Sequence, residues 1–99
     1  MSFKIRFTPE SRDDLERLFA FIANQDPGAA ERAVKVIDKA WELLATFPLS
    51  CRKATPLNPF LRELVIPFGR AGYVALFEIE DSQTITLLAV RHQREDDYY

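Results

Sequence analysis

Apolar and polar residues alternate at the start of the chain: Phe3, Ile5 and Phe7 fall on one side, Lys4 and Arg6 on the other. That period of two predicts a half-buried strand. Thr8-Pro9 punctuates it. A threonine hydroxyl can cap a helix, and proline suits the first helical position because its missing N–H would be unpaired there anyway. The period then changes, with Leu15, Leu18, Phe19 and Ile22 at the spacing of one helical face, which predicts a helix from Pro9 to about Asn24. Glu10, Asp13 and Asp14 occupy its early turns, where the helix dipole favours negative charge. Asn24-Gln25-Asp26-Pro27-Gly28 breaks the pattern, and Asp26-Pro27 restarts it with a second cap-plus-proline signal. Ala30, Ala33, Val34, Ile37, Ala40, Trp41 and Leu44 carry an apolar stripe through a second helix that stops before Pro48. So short a connection predicts an antiparallel helical hairpin, with alanines allowing close approach.

From Pro48 to Pro59 there is no periodicity, and an ordered loop is expected. At Phe60 the period of two returns. Arg62, Leu64, Ile66 and Phe68 share one face of a strand, with Pro67 suggesting a strand end or an edge position because it cannot donate to a ladder. Gly69-Arg70-Ala71-Gly72 reads as a turn. Tyr73, Ala75, Phe77 and Ile79 then alternate with Val74, Leu76, Glu78 and Glu80, and Asp81-Ser82-Gln83 connects to a last strand over Thr84–Arg91. In that strand Ile85, Leu87 and Ala89 alternate with Thr86, Leu88 and Val90, and apolar residues on both faces predict a central position. The expected fold is α+β: a lead strand, a helical hairpin on one sheet face, then a three-stranded antiparallel meander, β-α-α-β-β-β.

Ninety-nine residues with ordinary hydrophobic content predict one domain over residues 1–99. A net charge of −2 provides no global positive field for nucleic acid. The distribution says more: Arg52, Lys53, Arg62, Arg70, Arg91 and Arg94 outnumber Glu63, Glu78, Glu80 and Asp81, before Glu95, Asp96 and Asp97 add an acidic tip. Cys51 is the only cysteine, which excludes an intrachain disulfide and a cysteine-based zinc site. Met1-Ser2-Phe3-Lys4-Ile5-Arg6 lacks the apolar core of a signal peptide and no apolar run approaches membrane-spanning length, so a cytoplasmic location is expected.

There is no Gly-rich phosphate loop and no metal-ligand spacing, so neither cofactor nor metal is expected, and no serine sits in a nucleophile elbow. A cationic set remains: Arg62, Arg70, Arg91, His92 and Arg94, with Arg52 and Lys53 in the preceding loop. Clustered guanidiniums bind phosphate or carboxylate in bidentate geometry, and histidine serves as acid or base near neutral pH. Ordinary ion pairs of Arg62 and Arg91 with Glu63, Glu78 or Glu95 are the alternative use of the same residues, with His92 capping a strand end and Tyr98 and Tyr99 a frayed terminus.

Leu61-Arg62-Glu63-Leu64, Gly72-Tyr73-Val74-Ala75-Leu76-Phe77 and Leu88-Ala89-Val90-Arg91-His92-Gln93-Arg94-Glu95, in that order after a lead strand and an acidic first helix, resemble the RelE/ParE superfamily of bacterial toxins. The resemblance covers nearly the whole chain. It implies the toxin half of a type II toxin–antitoxin pair, also described as a plasmid stabilisation protein, neutralised by a small ParD-like or RelB-like antitoxin. Two activities occur on that fold. RelE-like members cleave messenger RNA on the ribosome, whereas ParE-like members bind and inhibit DNA gyrase. RelE-like sequences commonly carry an arginine after the Gly-Tyr of the third strand, where this chain has Val74. Their preceding strand is often lysine-rich, where this chain has Arg62-Glu63-Leu64-Val65-Ile66. His92-Gln93-Arg94 looks more like the ParE branch. The resemblance therefore implies a gyrase-directed toxin, with Arg62, Arg70, Arg91, His92 and Arg94 as target contacts. Its alternative is an mRNA endoribonuclease using Arg62, Arg91, His92 and a terminal tyrosine such as Tyr98.

Overall fold

The computed structural model describes residues 2–69 and 71–93. The expectations for Arg70, Arg94 and Tyr98 lie outside the described residues, as do those for Glu95 and Tyr99. Strand β1 (Lys4–Phe7) leads into helices α1 (Pro9–Gln25) and α2 (Pro27–Thr46), followed by a 3-10 turn over Pro48–Ser50. Four strands complete the chain: β2 (Arg52–Thr55), β3 (Asn58–Phe68), β4 (Ala71–Ile79) and β5 (Thr84–His92). The fold is α+β, as the periodicity predicts.

Both helix starts use the predicted chemistry. The Thr8 hydroxyl oxygen accepts the Ser11 N–H at 3.1 Å, and the Asp26 carboxylate accepts the Gly28 N–H at 3.0 Å, with Pro9 and Pro27 opening the two helices. Ala33, Ile37, Ala40 and Leu44 form the buried stripe of α2, and the last three pack on the sheet together with Leu18 of α1. Leu64, Ile66, Tyr73, Ala75, Phe77, Ile85, Leu87 and Val90 supply the sheet's side of this core. Phe7 meets Trp41 edge to face at 5.8 Å between ring centroids, tying β1 to α2.

The strand order is β1-β5-β4-β3-β2, with β1 parallel to β5 and the other pairs antiparallel. The last strand is central, as expected. Two expectations need correction. The stretch from Pro48 to Pro59 is not only loop: Arg52–Thr55 forms an edge strand against β3, and β3 itself begins at Asn58 rather than Phe60. So short an edge strand, with Arg52 and Lys53 both exposed, buries too little on either side to leave a periodic signature. Pro67 is explained by the same register. The β2 pairing stops at Glu63, so the part of β3 that carries Pro67 is flanked by β4 alone among the described residues.

The second correction concerns β5. Leu76 pairs with Ala89 but Phe77 pairs with Leu87, so Leu88 is an extra residue and the strand carries a β-bulge. Alternation therefore reverses at Leu88. Ile85 and Leu87 face the helices before the bulge, but after it Val90, not Ala89, joins the core.

Candidate functional site

Gly72 and Tyr73 of β4, with Gly69 in the turn before them, organise the cationic end of the sheet. The β3–β4 connection starts at Gly69, whose φ of 62° is the left-handed conformation that tight hairpin turns require. A Cβ on Gly72 would collide with the Ile66 carbonyl oxygen, so only glycine lets the two strands approach there. Tyr73 then stands between Ile66 of β3 and His92 of β5 in the ladder. Its ring stacks on Phe68 at 6.1 Å and meets the His92 imidazole edge to face at 5.8 Å. The Gln93 N–H donates to the Gly72 carbonyl at 2.8 Å and closes the strand end.

Because of the bulge, His92 faces the helix side with Tyr73, whereas Arg91 pairs with Val74 on the opposite side. The Arg91 guanidinium donates to the His92 carbonyl at 3.2 Å. Val74, at the position where the RelE-like pattern has arginine, is 1 % exposed and offers no side chain to a ligand.

Arg62 lies elsewhere. It pairs with Phe77, four positions along β4 from Tyr73, which is about 13 Å at the usual strand rise. Its Nε donates to the Pro59 carbonyl at 2.8 Å, and its Nη1 donates to the carbonyls of Leu49 (3.2 Å) and Cys51 (2.7 Å). Arg62 thus fastens the stretch between α2 and β3 onto the sheet. Neither Glu63 nor Glu78 is the group its guanidinium is seen to bind. Glu63 instead takes Arg52, its register partner, at 3.0 Å. Beside Arg62, burial pushes the Cys51 thiol above its ordinary value, with the guanidinium's charge opposing the shift.

The described residues therefore bring Arg91 and His92 together at one strand end, on opposite faces, and set Arg62 apart. They also contain no group of three or more His, Cys, Asp or Glu able to hold a metal, and no helix long and apolar enough to cross a membrane. A largely apolar groove of about 450 Å³ opens between the helices, lined by Phe7, Leu15, Phe19, Val34, Ile37 and Trp41 together with the charged Arg12, Glu16 and Asp38. Leu15, Phe19 and Ile22 remain half-exposed along this side of α1. The residues of α1 that are fully buried are Ser11, Asp14 and Leu18.

Asp14 is the residue that sequence reading did not single out. Its Oδ2 accepts the Val90 N–H at 2.9 Å, within the bulged part of β5. The available signal was its place three residues after Ser11 and four before Leu18, the spacing of one helical face.

Over residues 5–97 the chain matches the family model of the ParE toxin of type II toxin–antitoxin systems. Toxin RelE3 of Caulobacter vibrioides is 30% identical over 92 residues, covering 92% of this chain and 95% of its own. Toxin RelE1 of the same organism is 29% identical over 79 residues, covering 80% and 82%. Among solved structures, a chain of the chromosomal ParDE toxin–antitoxin system from P. aeruginosa superposes with a TM-score of 0.70. That likeness spans 92% of this chain and 96% of the other at 17% identity, and it is one of fold. The family match extends from β1 past the end of β5, through both the helical hairpin and the cationic strand end, and the chain belongs to the ParE toxin family of type II toxin–antitoxin systems.

Proposed function

We propose that this toxin arrests growth by binding DNA gyrase in the cytoplasm and is held silent by a cognate antitoxin of the ParD or RelB kind. The observation that carries the reading is the divergence of the cations. Cleavage of RNA through its 2′-hydroxyl needs a base, a donor to the phosphorane and an acid for the leaving oxygen, all within hydrogen-bond reach of one phosphate. Here Arg91 and His92 leave β5 on opposite faces, and Arg62 is engaged by three backbone carbonyls further along the sheet. Such an arrangement suits recognition across a strand end, with Arg91 and His92 as contacts and Arg70 and Arg94 as neighbours in the sequence. The apolar groove between α1 and α2 is the seat this reading gives to the antitoxin's apolar segment.

Purified toxin is expected to inhibit gyrase supercoiling, and stoichiometric antitoxin to restore it. Unaffected supercoiling at excess toxin overturns the proposal. Ribosome-dependent cuts in messenger RNA that disappear in His92→Ala or Arg62→Ala would replace it with the endoribonuclease reading.

A further inference from the structure

We propose that Asp14 is a positioning residue for the cationic end of β5: it holds the bulge at Leu88 by accepting the Val90 N–H, and the bulge decides which faces Arg91 and His92 occupy. The functional half of this inference rests on the reading of Arg91 and His92 as target contacts; the structural half does not.

The sheet itself leads to the assignment. β1 flanks β5 only as far as Leu87, whose carbonyl accepts the Thr8 N–H at 3.1 Å. The Thr8 hydroxyl then donates to the Leu88 carbonyl at 3.2 Å. Beyond that point the chain has turned into α1, and among the described residues no strand lies beside Ala89–His92 on that side. The bulge sets which amides turn to that open side, and the Val90 N–H is one of them, in the interior where an unpaired N–H is disfavoured. Asp14, 6 % exposed, reaches Val90 across 76 positions of sequence and supplies a charged acceptor at 2.9 Å. Arg17, one helical turn on, stands 3.9 Å from its other oxygen.

The consequence for the site is geometric. Were Leu88 paired in the ladder instead of bulged, strict alternation would carry the side of Ile85 and Leu87 on to Ala89 and Arg91, and His92 would point away from Tyr73. With it, Val90 fills the core, His92 lies against Tyr73 and Arg91 stands on the opposite face. The acid in the first helix and the bulge in the last strand form one device.

The chain has a single histidine, so its imidazole signals in NMR report the His92–Tyr73 contact without ambiguity. In Asp14→Ala the Val90 and Arg91 amides are expected to exchange roughly tenfold faster while those of Phe77 and Ile85 keep their rates. The His92 signals should move toward the position of a free imidazole, and growth arrest should weaken in parallel. Asp14→Asn, which keeps an oxygen at the same place, should restore most of both. A folded Asp14→Ala protein with unchanged Val90 exchange and unchanged His92 signals overturns the positioning role. Displaced His92 signals with undiminished toxicity overturn its functional half. Should the alanine variant fail to fold, Asp14→Ser, whose shorter side chain falls short of the Val90 N–H, decides: faster exchange confined to Val90 and Arg91 supports the proposal, and unchanged exchange or an even change along β5 overturns it. A wild-type protein that leaves gyrase untouched counts against the gyrase reading alone, because the exchange and His92 measurements stand apart from the target.

Discussion

The two halves of β5 have the same apolar character and are held by different means. Thr84–Leu87 lies between two strands, parallel β1 and antiparallel β4, and its inward residues Ile85 and Leu87 are fully buried. Ala89–His92 keeps β4 on one side, but on the other an aspartate of α1 stands in for a strand. The first half needs only a period of two to be specified. The second departs from that period by one residue and depends on a contact made from the far end of the chain. The half that departs carries the cations.

A charge placed where that departure turns the strand inward is the strongest way to test the contrast. Val90→Asp puts a carboxylate at the inward position that the bulge creates; stability is expected to fall by about 4 kcal/mol or more, since a buried charge without a partner is strongly destabilising. Urea unfolding checks this, and a Val90→Asp variant of wild-type stability would mean that the bulge does not turn Val90 into the core. The ordinary half should respond in the ordinary way. Leu87→Ala leaves a cavity in the shared core at a cost of about 3 kcal/mol, without selective loosening of Val90 in amide exchange.

Arg62 sharpens the comparison from the neighbouring part of the sheet. Arg62→Ala removes three donors to carbonyls, with an expected loss of about 2 kcal/mol, and Arg62→Lys should recover little because an ammonium lacks the fork that reaches Pro59, Leu49 and Cys51 together. The thiol reports which effect follows. If the Leu49–Pro59 stretch loosens, relief of burial brings Cys51 back toward its ordinary value and speeds alkylation near pH 8. If the stretch stays put, loss of the nearby positive charge slows it. Faster alkylation is the expected result.

The smallest effect is a dependence on pH at the strand end. Burial raises the Tyr73 phenol above its ordinary 10.0, so the unfolded chain gives up that proton first. The associated stability is present in full below pH 10 and is lost as pH rises through the raised value; Cys51 acts in the same direction from 9.0. In Tyr73→Phe the alkaline decline of the urea midpoint should be shallower than in the wild type. An identical decline would show that the Tyr73 hydroxyl contributes nothing to it.

Much of the molecule is legible in its sequence. Helix starts at Thr8-Pro9 and Asp26-Pro27 are written in residues that satisfy the first free N–H groups locally. The faces of α2, β3 and β4 follow from burial of one side at a time, which imprints a period on the sequence. β2 left no such mark because a short, exposed edge is specified by its partner strand and by the Arg62 clasp rather than by its own side chains. In the cationic set, sequence placed Arg91 and His92 at the end of the last strand. It did not show that Arg62 is engaged by backbone carbonyls, since carbonyl acceptors carry no residue identity to read.

What the sequence determined alone is what local physics determines: caps, helix and strand periods, the tight turn at Gly69 and the order of elements. Which way the last strand faces after Leu88 was decided only in the tertiary structure. The bulge decides which amides of β5 turn to the side where β1 has ended, and whether such an amide finds an acceptor depends on where a distant helix comes to lie. Asp14 and Val90 acquire their meaning from each other, and only once β1 has carried α1 to the edge of β5.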